Sequence, residues 1–300
     1  MTSVGIVGLG IVGKAVADGM KELGNEVYVN DIRPIPEGYT PITTYDMVNL
    51  CEVIFICVPT PQREDGGCDL STIYQVHGQI SIDIARAINN GLTDPPILVI
   101  KSTVLPGTCE MLIQGYRYTC SNPEFLRQSH AQDDFKNPDR TVIGTENPRI
   151  QKVMQELYKD VTGERMICSP TAAELIKYFS NVALIMKVAL SQEIKRVSEL
   201  HKQDPFPVAI GVGYDKRIKL SHLDPTKGKI DPDSPCLPKD INALIQHLAI
   251  KGYNTEFLKM IREKGVNRSY KRQLSQVEGL DEAKQYEIDR ILREMEDYDL

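Results

Sequence analysis

Short apolar runs alternate with helical stretches along the first half of the chain. These runs lie at residues 4–7, 27–30, 53–58, 97–100 and 141–143. Their length and apolar composition are typical of buried strands. Strands that alternate with helices form a parallel sheet wound with helices. The pattern therefore predicts an α/β fold with a doubly wound parallel sheet.

The second half has a different pattern. Residues 171–201 form one helical stretch without glycine or proline, which is longer than an ordinary globular helix. Residues 203–240 are rich in Pro, Gly, Asp and Lys, which predicts a long loop. Another helix is expected from about Ile241, and residues 281–298 have the spacing of a solvated terminal helix.

The change of pattern predicts two domains. We assign an α/β domain to residues 1–165 and a mainly helical domain to residues 166–300. A chain of 300 residues is long enough for two hydrophobic cores.

Composition excludes several classes of function. The formal net charge of -6 argues against a general nucleic-acid or anionic-membrane binder. The chain has no basic leader and no long apolar run, so we expect a soluble cytoplasmic protein. Its seven cysteines include no C-x-x-C pair, and its five histidines lack metal-ligand spacing. We therefore expect reduced thiols and no metal site.

A glycine fingerprint follows the first apolar run and opens a helix. It reads Gly8-Leu9-Gly10-Ile11-Val12-Gly13, and the next predicted strand ends in Asp31. The glycines permit a tight turn and a close backbone approach to a pyrophosphate at the helix N-terminus. A carboxylate at Asp31 accepts hydrogen bonds from a ribose and repels a 2′-phosphate. These features predict a Rossmann-type domain that binds NAD rather than NADP.

Further motifs carry a resemblance to a known family. They are Val58-Pro59-Thr60-Pro61 followed by Asp69-Leu70-Ser71, then 101–108 (KSTVLPGT), 121–127 (SNPEFLR), Glu174-x-x-Lys177-x-x-x-Asn181 and 236–240 (CLPKD). In order and spacing they resemble the UDP-glucose and GDP-mannose dehydrogenase family. With the glycine fingerprint, the resemblance covers the chain from residue 4 to about residue 270.

The residue types suit the oxidation of an alcohol to an acid. An aldehyde loses hydride readily only after a nucleophile has made it tetrahedral, and the Cys236 thiol is such a nucleophile. We expect Cys236 to precede a helix that Asp240 caps, with Lys239 nearby, because both the helix end and a cation favour the thiolate. Lys177 and Asn181 are four residues apart, so both lie on one helix face, which Glu174 shares.

The resemblance implies a role for each of these residues. Lys177 and Asn181 stabilise oxyanion character, Thr103 and Asp240 position a water, and Glu124 acts as acid or base in hydrolysis. The implied cofactor residues are Gly8, Gly10, Ile11, Val12, Gly13, Asp31, Val58, Pro59, Thr60, Ser102 and Thr103. The implied substrate residues are Glu124, Phe125, Leu126, Lys177, Asn181 and Arg217.

The chain departs from the family pattern on the substrate side. Members usually continue into a third domain that helps to hold the nucleotide, and the segment after Arg268 is too short and charged to replace it. Relatives have a glycine-rich loop before the cysteine, whereas residues 224–235 of this chain contain a single glycine, Gly228. Gln128 stands where relatives often have a second glutamate.

The resemblance implies an NAD-dependent enzyme that oxidises UDP-glucose to UDP-glucuronate, with GDP-mannose as the alternative substrate. It also implies a homodimer built on the long helix, with Arg217 reaching the neighbouring active site. A separate chain that supplies nucleotide binding is a further expected partner. Two other functions stay open: a catalytically silent NAD-binding scaffold and a two-electron dehydrogenase of the β-hydroxyacid type.

Overall fold

The structure is a computed structural model that describes residues 1–228, 230–231, 234 and 236–266. It contains two compact units. The first comprises residues 1–63 and 68–177, and the second comprises residues 64–67 and the chain from residue 178 onward. The boundary expected after residue 165 remains a prediction. The helix expected at residues 281–298 lies outside the described residues.

An eight-stranded sheet forms the framework of the first unit. Its strands are β1 (Ser3–Val7), β2 (Glu26–Asn30), β3 (Thr40–Pro41), β4 (Val53–Ile56), β5 (Ile97–Ile100), β6 (Thr119–Ser121), β7 (Arg140–Gly144) and β8 (Glu164–Cys168). The order is β3-β2-β1-β4-β5-β6-β7-β8, and every pair is parallel except β6 with β7. The strand order reverses between β1 and β4, where the carboxyl ends of strands form a ligand crevice in such sheets. The predicted fold is confirmed.

Helices separate most of these strands. The first unit contains α1 (Ile11–Glu22), α2 (Thr44–Leu50), α3 (Ser71–Asn89), α4 (Thr108–Gly115), α5 (Ala131–Lys136) and α6 (Pro148–Leu157). Helix α7 (Pro170–Leu200) begins in the first unit and continues into the second, which also contains α8 (Pro205–Gly213), α9 (Leu237–Ile250) and α10 (Glu256–Gly265). The predicted mainly helical second half is therefore confirmed. Within the described part, no helix is both long and apolar enough to cross a bilayer.

The core of the first unit forms around the central strands. All four side chains of β4 and of β5 are buried, as expected for parallel strands covered on both faces. Helix α1 buries Ala15, Val16 and Met20 in the same cluster. Each large aliphatic side chain buried in this way contributes about 1.5–3 kcal/mol. This core holds the carboxyl ends of β1, β4 and β5 in place.

Two expectations for the second unit are wrong. The region expected to be a long loop contains α8, whose N-cap Asp204 accepts a hydrogen bond from the Phe206 N–H, with proline in the first turn. Helix α9 begins at Leu237 rather than near Ile241, because Pro238 fits the first turn of a helix. The earlier start makes Cys236 the N-cap residue of α9.

Candidate active site and cofactor site

Three glycines shape the turn between β1 and α1. Gly8 has a φ of 92°, which favours glycine, and a Cβ at Gly8 would lie 2.6 Å from the Cys57 carbonyl oxygen. A Cβ at Gly13 would lie 1.8 Å from the Gly8 carbonyl oxygen. Gly10 is the N-cap of α1, and a Cβ there would meet no atom within 4 Å. The turn is therefore tight on its inner side and open at Gly10.

Asp31 follows β2 and faces this turn. Its Oδ2 accepts a hydrogen bond of 2.6 Å from the Leu9 N–H and one of 3.0 Å from the Arg33 guanidinium group. Hydrogen bonding from the Arg33 side chain is the main reason that the pKa of Asp31 lies well below its usual range. A carboxylate at the end of β2 was expected, whereas its pairing with Arg33 was not. Arg33 stands two residues from the acid, which is the only sequence signal for this pairing.

The loops after β4 and β5 are joined by hydrogen bonds. The Thr60 hydroxyl donates to the Thr103 carbonyl oxygen at 2.9 Å, and the Ser102 hydroxyl donates to the Val58 carbonyl oxygen at 2.6 Å. Pro59, which lies between Val58 and Thr60 in the chain, is exposed. The predicted cofactor residues from these two motifs therefore lie together at the carboxyl ends of neighbouring strands.

Glu124 and Lys177 form a largely buried ion pair. Lys177 Nζ lies 2.9 Å from Glu124 Oε1, and the Leu126 N–H donates to Oε2 at 2.6 Å. Only 7% of the Lys177 side chain and 12% of the Glu124 side chain are exposed. Burial raises the pKa of Glu124, but Lys177, the Leu126 N–H and Lys101 together outweigh it, so this pKa lies below its ordinary value. The pair therefore presents a carboxylate beside an ammonium group.

Two cations contact the ring of Phe125. The Lys177 ammonium nitrogen is 5.6 Å from the centre of its ring, and the Arg140 guanidinium carbon is 4.1 Å from it. Such contacts stabilise a cation against an aromatic face. They also hold the segment after Glu124 in place.

Glu174 binds the backbone at the start of α4. Its carboxylate oxygens accept hydrogen bonds from the Gly107 N–H at 2.6 Å and the Cys109 N–H at 2.8 Å. Glu174 thus caps the N-terminus of α4, whose backbone N–H groups attract a negative charge. Burial is the largest effect on the pKa of Glu174 and raises it to about 7. The carboxylate of Glu174 therefore binds the N-terminus of α4, a pairing that the helical spacing of Glu174 and Lys177 does not reveal.

A second polar cluster surrounds the start of α9. Asp240 is 2% exposed, and its Oδ2 accepts a 2.6 Å hydrogen bond from Asn181 Nδ2. Its Oδ1 lies 2.6 Å from Lys239 Nζ. The expectation that Asp240 caps α9 is therefore wrong, because both of its oxygens have side-chain partners one turn into the helix. Cys236 is exposed at the helix N-cap.

The other cysteines have environments unlike that of Cys236. Cys168 is half-buried, and the other five are buried: Cys51, Cys57, Cys68, Cys109 and Cys120. Burial raises the pKa of Cys51, Cys57 and Cys120 to about 12. A thiol in such a place is protonated and unreactive at neutral pH.

The remaining expected sites lie on exposed segments. The Arg217 side chain is 88% exposed, and its guanidinium group lies 2.6 Å from Asp215 Oδ2. Gln128 is exposed in a short 3-10 turn, residues 128–130. No group of His, Cys, Asp and Glu side chains suitable for a metal ion occurs among the described residues.

The cofactor residues fit a dinucleotide. In the described structure no side chain caps the N-terminus of α1, and a substituent at Gly10 would enter open space. Free backbone N–H groups at such a helix end bind a pyrophosphate. The Asp31 carboxylate is the type of acceptor that a ribose diol requires, and hydrogen bonds that Arg33 donates to it would be exchanged for those of the ribose.

Two family models match the chain. Residues 38–162 match the UDP-glucose/GDP-mannose dehydrogenase family, NAD binding domain, and residues 171–268 match the central domain of the same family. The first match lies within residues 1–165, and the second lies within residues 166–300.

Individual relatives agree with this match. A UDP-glucose 6-dehydrogenase of Rickettsia bellii is 37% identical over 202 residues, which are 64% of this chain and 44% of the relative. The chain spans about half the length of the curated relatives it matches.

Two solved structures share the fold. The UDP-glucose dehydrogenase of Pyrobaculum islandicum superposes with a TM-score of 0.77 and 29% identity, over 88% of this chain and 68% of that one. The GDP-mannose dehydrogenase of Pseudomonas aeruginosa has a TM-score of 0.65 and 26% identity, over 87% of this chain and 68% of that one.

Proposed function

Because the chain belongs to the UDP-glucose/GDP-mannose dehydrogenase family, we propose that it oxidises the primary alcohol of a sugar nucleotide to a carboxylate with NAD. UDP-glucose is the first substrate to test, and GDP-mannose is the second. The observation that carries the proposal is the exposed Cys236 thiol at the N-terminus of α9, one turn from the Asn181–Asp240 pair.

The first unit is proposed to hold NAD. The turn at Gly8, Gly10 and Gly13 would receive the pyrophosphate, and Asp31 would receive the adenosine ribose. When bound, NAD accepts the hydride that is removed in each of the two oxidations.

Cys236 is proposed as the nucleophile. The N-terminus of α9 favours a negative charge on its sulfur. The sulfur adds to the aldehyde carbon, and the carbonyl oxygen takes a proton, which gives a thiohemiacetal. Loss of one hydride and one proton then leaves a thioester, and water displaces the sulfur to give the carboxylic acid and the restored thiol.

Charged and amide groups are proposed to support these steps. Lys177 and Asn181 donate hydrogen bonds to the substrate oxygen while it carries negative charge. Thr103 and Asp240 position the water that carries protons. The Glu124 carboxylate accepts a proton from the attacking water, and Lys177 beside it keeps this group ionised.

We propose that two copies of the chain associate along α7. Its exposed side chains include Phe179, Ala183, Met186, Leu190 and Val197. They follow the spacing of a coiled-coil stripe, three or four residues apart with one longer gap at the exposed Glu193. Apolar side chains that are contiguous on one helix face are typical of an interface.

Two differences from relatives favour a second candidate function, a silent NAD-binding scaffold. Gln128 cannot titrate, and the segment before Cys236 contains acidic residues and prolines. Either change weakens substrate binding without affecting the glycine turn. The retained Glu124–Lys177 and Asn181–Asp240 pairs favour the enzyme, because a scaffold requires neither pair.

The decisive experiment measures NADH and acid product with a panel of sugar nucleotides. We expect the parent protein to form two NADH per molecule of carboxylate product, whereas a two-electron dehydrogenase would form one NADH per molecule of carbonyl product and no carboxylate. Cys236→Ser and Cys236→Ala should lose acid formation and retain NAD binding, because neither variant supplies a thiolate.

The matched control is Cys168→Ser, a half-buried thiol outside the proposed site. It should retain the activity of the parent. Equal turnover in the parent and both Cys236 variants would exclude the thioester route. Unimpaired NAD binding by a parent that forms no NADH with any sugar nucleotide would favour the scaffold.

A further inference from the structure

Lys101 is a buried cation that the proposed chemistry does not use. It follows β5 directly, in the same motif as Ser102 and Thr103, and is only 6% exposed. Removing an ammonium group from water is costly unless it is paired or hydrogen-bonded. A lysine in such a place therefore needs a reason beyond packing.

The ammonium group of Lys101 binds a fully buried amide. Lys101 Nζ donates a hydrogen bond of 3.0 Å to Asn122 Oδ1, which also accepts one of 2.7 Å from the Tyr158 hydroxyl. Asn122 Nδ2 donates to the Val142 carbonyl oxygen at 2.7 Å. Asn122 is 0% exposed, so both ends of its amide are fixed inside the core.

This network determines where the Asn122-Pro123-Glu124 segment leaves the sheet. Asn122 comes directly after β6, and its N–H donates to the Ile100 carbonyl oxygen at 2.9 Å. Pro123 restricts the backbone between the anchored amide and Glu124. The position of the Glu124 carboxylate therefore depends on a side chain held by Lys101.

Lys101 also acts on Glu124 electrostatically. Two cations lower the pKa of Glu124: Lys177 from α7, which has the larger effect, and Lys101 from the end of β5. The buried thiols Cys57 and Cys120 also face Lys101, but burial raises their pKa to about 12, so they are neutral. Burial lowers the pKa of Lys101 to about 8, which leaves it mainly protonated at neutral pH.

We propose that Lys101 is a positioning residue for Glu124: it anchors the turn through Asn122 and supplies a second buried positive charge that acts on the carboxylate. The inference rests on the proposed function only where Glu124 is given an acid–base role. It assigns no contact between Lys101 and the substrate or the cofactor.

The test is the ionisation of Glu124, measured directly by carbon-13 NMR of labelled glutamate carboxyl groups. Glu124→Gln identifies its signal. Lys101→Met should raise the pKa of Glu124, because one of the two positive charges that lower it is lost while burial remains. Lys101→Arg should keep the parent value, because it retains the charge. Lys152→Met, at an exposed lysine of α6, is the matched control and should change nothing.

A purely structural role would give a different result. If Lys101 only filled space, Lys101→Met would leave the titration of Glu124 unchanged, and this outcome would overturn the inference. If Lys101→Met does not fold, Lys101→Gln retains a hydrogen-bond donor without the charge and should show the same rise.

Activity gives a separate readout. If the parent oxidises a sugar nucleotide, the acid limb of its kcat/KM profile should move to higher pH in Lys101→Met by the same amount as the NMR titration. A parent that is inactive with every sugar nucleotide would refute the proposed function, and the NMR result would still decide the role of Lys101.

Discussion

At the scale of single residues, the three glycines of the first turn answer different physical demands. Gly8 needs a positive φ, and Gly13 needs room for the Gly8 carbonyl group. Gly10 has neither need in the described structure, since its φ is -78° and its surroundings are open. The physical reason for glycine at this position is therefore the ligand.

This difference predicts that one glycine-to-alanine substitution lowers stability and the other weakens NAD binding. Gly13→Ala should lower the free energy of unfolding by about 1–3 kcal/mol, because its Cβ would overlap a backbone oxygen. Gly10→Ala should change it by less than about 1 kcal/mol but weaken NAD binding at least about tenfold, because its methyl group would meet the pyrophosphate. Urea denaturation and calorimetric titration with NAD measure the two effects. Parent-like NAD affinity in Gly10→Ala would refute the placement of the pyrophosphate.

At the scale of elements, the sequence predicts strands that are long and apolar and misses those that are not. β4 and β5 are continuous apolar runs and were expected. β3 has two residues, β6 has three, and β8 (ERMIC) begins with three exposed residues. Edge position and short length remove the buried apolar pattern on which strand prediction depends.

The candidate site shows the same division. Its residues were expected from motifs within single segments, such as Lys177 and Asn181 on one helix. Pairings between distant segments were not foreseen, among them Asp240 with Asn181 and Glu174 with α4. A carboxylate near a predicted helix start has several hydrogen-bond donors available in the folded chain, and tertiary packing determines which of them it binds.

The contact between α3 and β6 predicts a dependence of stability on pH. His77 of α3 is 4% exposed, with Nε2 3.0 Å from the Thr119 hydroxyl, and burial lowers its pKa to about 4. As pH falls from about 6.5 to about 4, the unfolded chain binds a proton that the folded chain does not. The contribution of His77 to the free energy of unfolding is therefore fully present above this window and is lost within it.

His77→Gln retains an amide in place of the imidazole and removes the titration. When the pH is lowered from about 7.5 to about 5, the free energy of unfolding of the parent should fall by about 2 kcal/mol more than that of the variant. Urea denaturation at the two pH values measures this difference. The pKa of His222 is lowered to about 4 as well. Because His222 is present in both proteins, its contribution cancels in the comparison. An equal loss in the two proteins would show that His77 binds a proton in the folded state.

At the scale of the whole molecule, the proposed dimer gives a role to two separate exposed features. One is the exposed apolar stripe of α7, in which Phe179 is 49% exposed and Leu190 is 44% exposed. The other is Arg217, whose side chain is 88% exposed and pairs with Asp215. If the stripe is an interface, an arginine on an exposed turn becomes available to the substrate of the partner subunit.

Mixing two inactive variants tests this arrangement. Cys236→Ser retains Arg217, and Arg217→Ala retains Cys236. In a mixed dimer, the subunit with the intact thiol receives the intact arginine from its partner, so one site in two is complete. Random exchange makes half of the dimers mixed, and the mixture should recover about a quarter of the activity of the parent.

Each alternative gives a distinct result in the same assay. If Arg217 serves its own subunit, the mixture stays inactive, because neither chain carries both residues. If the chain is monomeric, the mixture also stays inactive, and sedimentation then separates this case from the previous one. Leu190→Lys places a charge on the stripe and should abolish both the dimer and the recovery, whereas Glu199→Lys, on the opposite side of α7, should affect neither. Recovery that persists in the monomeric Leu190→Lys background would contradict the exchange of Arg217 between subunits.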